Sequence, residues 1–544
     1  MCPDRRQFLC SLVFGAAGIA LNRRWLECGQ ESKTPEATPR ISQRDRASLP
    51  TTVTPLPKGR QLFVDDFLIA ESTLKRSFHT ARLHERSPVL KPETPLEMNN
   101  GFCPVACPFD DGVFYDPRDQ LFKMWYQAGW FDGSAYAISE NGLDWKRPKL
   151  DIEPGTNRVL PRRDRYQRDG TGVWLDHQSE DPNQRFKMFT YFRKRQRGFV
   201  YGQFYRSEAP NDWAGGEVYT SPDGIHWSTP VRTGPCGDNT TFFYNPFRKT
   251  WFYSVRTYDK KLGRVRSYRE YPDFVQGVHW TEKDLVFWAA ADELDSPDPE
   301  LGYQPELYKL NVVAYESLLI GMFGIFKGPP NPVAEKARVP KTIDLEIGYS
   351  RDGIHWERPD RRSFIACSRQ KGTWNRGYLH SAGGVCLIMG DELYFYFGTW
   401  SGSSPKFGEH MYAGGSTGIA VLRRDGFASM DADGITGLLT TPLVSFKGKI
   451  LFVNVNAKVG ELRAEILGST GQVIGRFSRE NCIPIRSDST IQAVTWKDGN
   501  DLSFLASSPI RFRFYLNDGK LYSFWVSPDQ SGDSGGYAAG GGPG

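Results

Sequence analysis

At 544 residues, 39% hydrophobic and 14% aromatic, the chain has room for more than one domain and enough large apolar side chains to build extensive cores. Its 68 Lys and Arg exceed its 63 Asp and Glu by five; two of those charges fall in the first 28 residues, and the near-neutral remainder, with no basic helix or nucleic-acid motif, leaves no case for a nucleic-acid partner. The 55 glycines and 36 prolines predict an all-β chain with many turns.

Arg5-Arg6-Gln7-Phe8-Leu9 precedes an apolar run from Cys10 to Leu21. Paired arginines before a short apolar run resemble a twin-arginine export signal, with an ordinary secretory signal as the alternative. The run is too short for an ordinary membrane span. The protein is therefore expected to be exported to the periplasm or beyond, without a stable transmembrane span, and residues 1–28 to lie outside the fold. Residues 29–58, rich in Ser, Thr, Pro, Gln and charge, read as a disordered linker. Six cysteines follow residue 28, and their spacing matches no zinc motif, so neither metal nor cofactor is expected. Cys103 and Cys107 are close enough for a local disulfide; free buried thiols are the alternative.

Arg60 to Ile69 is a strand-like run expected to complete a blade of the repeating sheets that follow. Beyond it the chain repeats itself. Ser139-Glu140-Asn141-Gly142-Leu143-Asp144-Trp145, Ser221-Pro222-Asp223-Gly224-Ile225-His226-Trp227 and Ser350-Arg351-Asp352-Gly353-Ile354-His355-Trp356 are three copies of one turn. Gln276-Gly277-Val278-His279-Trp280 and Arg424-Asp425-Gly426-Phe427 are two worn copies. Asp/Asn-Gly is a tight-turn signal, and the following Trp suits a plug between neighbouring sheets. An apolar hairpin precedes each turn: Gly112–Tyr115 with Leu121–Tyr126, Gly172–Leu175 with Phe186–Phe189, Thr241–Tyr244 with Trp251–Val255, Val312–Tyr315 with Leu318–Met322, and Val385–Ile388 with Leu393–Phe397. Five inner hairpins and five outer turns predict a five-bladed β-propeller over residues 59–436. Alternating strands from 437 to 527 predict a β-sandwich, and the Gly- and Ser-rich residues 528–544 a disordered tail.

A propeller gathers the starts of its innermost strands around one axis. Those starts read Asp110-Asp111-Gly112, Arg168-Asp169-Gly170, Asp238-Asn239-Thr240, Glu306 with Asn311 downstream, and Arg376 with His380 downstream. Acids stand at four of the five. Like charges brought together cost energy, which marks them as functional candidates, and paired carboxylates are what glycoside hydrolysis needs. Asp110, Asp111, Asp169, Asp238 and Glu306 are the catalytic candidates. Arg168, Asn239, Asn311, Arg376 and His380 are the candidates for holding a carbohydrate. Trp125, Trp130 and Trp174 could stack on sugar rings, although core packing is the plainer reading. Glu316 closes an inner strand and reads as structural.

A propeller with axial carboxylates followed by a β-sandwich resembles the glycoside hydrolase families 32, 43 and 68. Arg168-Asp169 resembles the Arg-Asp-Pro of family 32, with Gly170 in place of the Pro. Asp111-Gly112-Val113 with Leu121 to Gln127 resembles that family's first-blade region, without its Asp-Pro. No Glu-Cys of the family's acid/base type is present, and Asp238 stands at the third start instead. The resemblance implies a glycoside hydrolase in which Asp110 or Asp111 is nucleophile or base, Asp169 orients or stabilises, and Asp238 or Glu306 donates the proton. The alternatives are a non-catalytic carbohydrate-binding propeller, a scaffold for protein partners, and a glycosidic phosphorylase with cations beside the acids.

Overall fold

The computed structural model describes residues 52–163, 166–194, 198–200, 203–205, 215–506 and 508–543. The export segment and most of the expected linker lie outside them, as do Asp164 and Arg165. Residues 49–544 form one compact unit. It is all-β, with only short helical turns among the described residues. Among the described residues no helix is long and apolar enough to cross a membrane.

Antiparallel meanders follow one another along the chain. Val105–Asp116, Leu121–Ala128, Ser134–Ser139 and Arg158–Leu160 pair in order. So do Tyr166–Leu175, Phe186–Lys194, Gly215–Ser221 and Val231–Arg232. Thr241–Asn245, Thr250–Asp259, Gly263–Tyr271 and Val286–Ala289 make a four-stranded sheet. Glu306–Glu316, Leu318–Gly328 and Thr342–Ser350 repeat the pattern. Gly377–Ser381 and Leu387–Met389 both pair with Glu392–Trp400, which pairs with Gly415–Arg423.

The outer strand of that last sheet comes from the far side of the sequence: Ala420 and Val421 pair with Leu83 and Arg82. The run Arg60 to Ile69 goes elsewhere, with Gln61 and Leu62 pairing with Phe524 and Ser523. The difference is physical. Gln61, Leu62, Phe63 and Val64 are all buried and need a covered sheet, whereas Arg82 and Leu83 are exposed and suit an edge.

The recurring Ser-x-Asp-Gly turn locks neighbouring sheets together. In the third copy Ser350 Oγ accepts from the Gly353 amide at 2.8 Å, and Asp352 Oδ1 accepts from Ile354 and His355. Ser139 with Asn141 and Ser221 with Asp223 repeat this. The glycine carbonyl then accepts a bond from an aromatic side chain of an adjacent sheet. Trp125 Nε1 donates to Gly224 at 2.7 Å, Trp288 Nε1 to Gly353 at 3.0 Å, and Tyr396 Oη to Gly142 at 2.6 Å. The glycine is required twice over. Its φ is positive, and a Cβ on Gly224 would lie 2.5 Å from the Trp125 ring.

Two six-stranded sheets share a separate apolar core. One holds Thr54–Pro55, Glu71–Ser72, Gly437–Thr440, Val444–Ser445, Glu461–Gly468 and Ile510–Asn517. The other holds Gln61–Leu62, Lys75–Phe78, Ala428–Ala432, Ile450–Asn456, Asp488–Ala493 and Gly519–Ser527. Residues 54–78, at the other end of the chain, thus supply strands to both sheets, and residues 52–58 are ordered rather than linker.

The glycine-rich tail is ordered through residue 543. It threads between the ends of the inner strands. The Tyr115 amide donates to Gly540 O at 2.9 Å, the Ile388 amide to Gly541 O at 2.9 Å, and Ala538 pairs with Tyr315. A Cβ on Gly542 would lie 2.0 Å from Ile388 O, so the glycines serve close packing here, not flexibility. A chain lacking residues 535–544 is expected to fold with a Tm lower by at least a few degrees. An unchanged thermal transition would show the tail contributes nothing to stability.

Candidate active site

At the opposite end of these strands the ladders break. Bulges interrupt pairing between Cys107 and Gly112, between Arg168 and Thr171, between Leu307 and Lys309, and between Gly377 and His380. Each bulge turns its extra residues out of the sheet. Left-handed backbone collects here as well, at Asp110 (φ 76), Asn239 (φ 55) and Tyr378 (φ 60). Strain of this kind persists where surrounding contacts over-determine it, and it concentrates at functional sites. The strands approach closely: Asp110 and Asp111 pair in parallel with Thr171 and Gly172, and Asp110 bridges Ala382. A Cβ on Gly170 would lie 2.9 Å from Asp110 Oδ2 and 3.2 Å from the Asn239 backbone. That crowding accounts for Gly after Arg168-Asp169.

The four aspartates come together, each held by a cation. Asp110 pairs with Lys309, and Asp111 with Arg168. One guanidinium bridges two acids: Arg193 donates to Asp169 through Nε and to Asp238 through Nη2. Arg256 Nη1 stands 3.4 Å from Asp238. Glu306 Oε2 accepts from the Arg264 amide at 2.9 Å and from its Nη1 at 2.8 Å. Asn311 Nδ2 donates to Ser381 O and Oγ, each at 3.1 Å. Lys309 Nζ donates to Ser381 O at 2.8 Å and to His380 Nδ1 at 3.3 Å. Arg376 stands apart; its nearest carboxylate is Glu409, at 4.0 Å. Asn239 O accepts from Arg266 Nη1 at 2.7 Å.

Burial divides the acids. Asp110, Asp111 and Asp169 are almost wholly covered, whereas the side chains of Asp238 and Glu306 keep 14% and 24% of their exposure and Arg193 keeps 43%. Charge states divide too. Burial pushes the Asp111 carboxyl up to about 6 against the pull of Arg168. Burial raises Asp169, and the Asp238 charge adds to the rise, with Arg193 opposing. Burial also works to raise Asp238, but Arg193, Arg256, Lys341 and Arg264 outweigh it and hold this carboxyl below the usual range. His380 is held well below 6.5, first by burial and then by Lys309 and Lys341, so its ring is neutral. It lies against Phe109 with centroids 4.1 Å apart and the ring planes tilted by 35°.

Asp111 gives a pH test. Its folded value of about 6 exceeds the ordinary 3.8, so the folded state holds the proton more firmly than the unfolded chain. Its contribution to stability is full below the ordinary value and is lost as pH rises through about 6. Between roughly pH 4 and pH 6 the wild type should lose stability relative to Asp111→Asn, by about 3 kcal/mol at most. Urea midpoints across that range read the difference; a gap moving the other way contradicts it.

Apart from Arg168, sequence reasoning missed the cations that surround the acids. Arg193 lies on a second strand, Arg264 and Arg266 on a third, and Lys341 in a connection. Only Lys309 left a sequence signal, as a lysine inside the apolar inner strand Glu306–Glu316. Trp125 is a core residue bonded to Gly224. Trp130 is buried and stacked on Tyr412 at 4.3 Å. Trp174 lines a cavity of about 530 Å³ at the far end of the strands, beside the tail and away from the five acids. Glu316 is buried, with its carboxylate 3.5 Å from Arg60 Nε. Cys103 and Cys107 are free buried thiols, so no local disulfide forms. Among the described residues no group of three or more His, Cys, Asp or Glu is placed to hold a metal ion.

No family model matches the chain, and no curated protein matches it. Solved structures do. An N-acetylgalactosamine deacetylase from F. plautii, in complex with blood group B trisaccharide, aligns at 13% identity and TM-score 0.38, covering 65% of this chain and 96% of its own. An exo-beta-1,3-galactanase from Phanerochaete chrysosporium aligns at 10% identity and TM-score 0.34, covering 77% and 96%. A thermostable family-43 glycoside hydrolase aligns at 11% identity and TM-score 0.36, covering 59% and 93%.

Proposed function

We propose that the protein is an exported glycoside hydrolase of the family-32/43 kind, a five-bladed β-propeller joined to a β-sandwich, cleaving a poly- or oligosaccharide at the axial carboxylates. One observation carries the reading: Asp169 and Asp238 share Arg193, yet burial favours a proton on the first while surrounding cations keep the second ionised. Glycoside hydrolysis needs that division between a protonated donor and an ionised nucleophile or base. In this reading Asp169 donates the proton and Asp238 acts as nucleophile or base. The roles differ from those implied by resemblance, because Asp238 is held ionised and Asp110 and Asp111 are sealed behind Lys309 and Arg168. Arg193, the most exposed of the three, must turn aside for a glycosidic oxygen to reach Asp169. Glu306 and Asn239 border the site.

The non-catalytic reading has one observation in its favour: every axial acid is already paired with a cation. Sugar release by the full-length protein from a broad panel of polysaccharides and aryl glycosides decides between them. Release establishes the hydrolase. Glycan binding without release on any substrate favours the binding propeller.

A further inference from the structure

The cations of the site outnumber its acids. Arg193, Arg256, Arg264 and Lys341 all lie close enough to Asp238 to stabilise its charge. Arg266, fully buried beside them, reaches Asn239 O through Nη1, while its Nε and Nη2 have no hydrogen-bond partner among the described residues. Lys341, 2% exposed, makes no ion pair with a carboxylate among the described residues. Its Nζ donates to Tyr308 Oη at 3.2 Å and Tyr378 Oη at 3.4 Å, over the Tyr378 ring at 4.5 Å. Five cations thus surround Asp169, Asp238 and Glu306. Buried positive charge without a counter-charge is costly, and unpaired guanidinium N–H groups add to that cost. An oxyanion arriving between them would relieve both, and guanidinium forks suit carboxylate, sulfate and phosphate oxygens.

We propose that the axial site receives an oxyanion, carried by an acidic sugar of the substrate, between Arg256, Arg264 and Lys341 with Arg266 behind them. The inference rests on the reading of the axis as the ligand site, and it names the substrate class: glycans bearing a carboxylate or sulfate. The same cations would accept free phosphate, which would make phosphate a co-substrate in place of water.

Calorimetry on the full-length protein tests this with D-glucuronate, D-galacturonate, glucose 6-sulfate and inorganic phosphate against D-glucose and D-galactose. Acidic sugars should bind at least about tenfold more tightly than their neutral counterparts, and the methyl ester of glucuronate should lose that advantage. The ester comparison needs no altered protein. Lys341→Met and Arg264→Gln should each weaken glucuronate about tenfold. Phosphate that competes and exceeds the acidic sugars assigns the oxyanion to a free co-substrate. Equal binding of acidic and neutral sugars, or no anion bound at about 10 mM, overturns the proposal. The hydrolase reading fails separately, when acidic sugars bind but no glycan is cleaved.

Discussion

Asp169→Asn should cut sugar release about a hundred- to ten-thousand-fold while leaving the protein folded, because the amide keeps the shape of the carboxyl and cannot deliver its proton. Asp238→Asn should fall in the same range, for the opposite reason. It removes a carboxylate that Arg193, Arg256, Lys341 and Arg264 hold ionised. The two variants are distinguishable with aryl glycosides. A good leaving group needs little protonation, so Asp169→Asn should recover activity on it and Asp238→Asn should not. The measurement is kcat/KM on a substrate pair differing only in the leaving group. Equal loss on both substrates by Asp169→Asn would remove it from the donor role.

The second large effect lies at the junction of the sheets. Arg60 is 1% exposed; its Nη1 donates to Asp425 Oδ2 at 3.0 Å and Thr490 O at 2.7 Å, and its guanidinium lies over the Trp525 ring at 4.1 Å. Its amide donates to Glu316 Oε2 at 3.0 Å. Asp425 is held further by Tyr315 Oη at 2.6 Å and Ser523 Oγ at 2.7 Å. Arg60→Met keeps most of the apolar stem and strands two buried carboxylates of like charge. The expected loss is about 3–5 kcal/mol, seen as a lower urea midpoint. Adding Glu316→Gln should restore part of it by removing one stranded charge. A loss below about 1 kcal/mol would show Arg424, 3.6 Å from Glu316, to be sufficient alone.

What could be read from the sequence was local. The Ser-x-Asp-Gly turns are legible because their hydrogen bonds close within four residues, and the apolar hairpins because their strands are adjacent in the chain. The acids of the inner strand starts are legible for the same reason: each sits beside a turn signal. The cations are not. Arg193, Arg266 and Lys341 meet the acids only after separate sheets converge, and no spacing announces that. Arg82–Leu83 has two residues and no periodicity, so nothing marks it as a strand. The tail is illegible for a different reason. Glycine in an isolated segment speaks for conformational freedom, yet between converging strands it is the residue that fits. The worn repeat at Arg424-Asp425-Gly426-Phe427 kept its acid for another purpose, as the buried partner of Arg60.

The pairing of Leu83 with Ala420 also bears on how quickly the chain can find its fold. Hairpins between neighbours can form early, since each encloses a short loop. The pairing of Leu83 with Ala420 joins segments more than three hundred residues apart, and Arg60 to Asp425 spans 365. Neither contact can stabilise the chain until the intervening sheets are in place, because the entropy of enclosing so long a loop falls due first. Refolding from urea should therefore show aromatic burial well ahead of the final cooperative step, with these long-range contacts among the last and slowest to form.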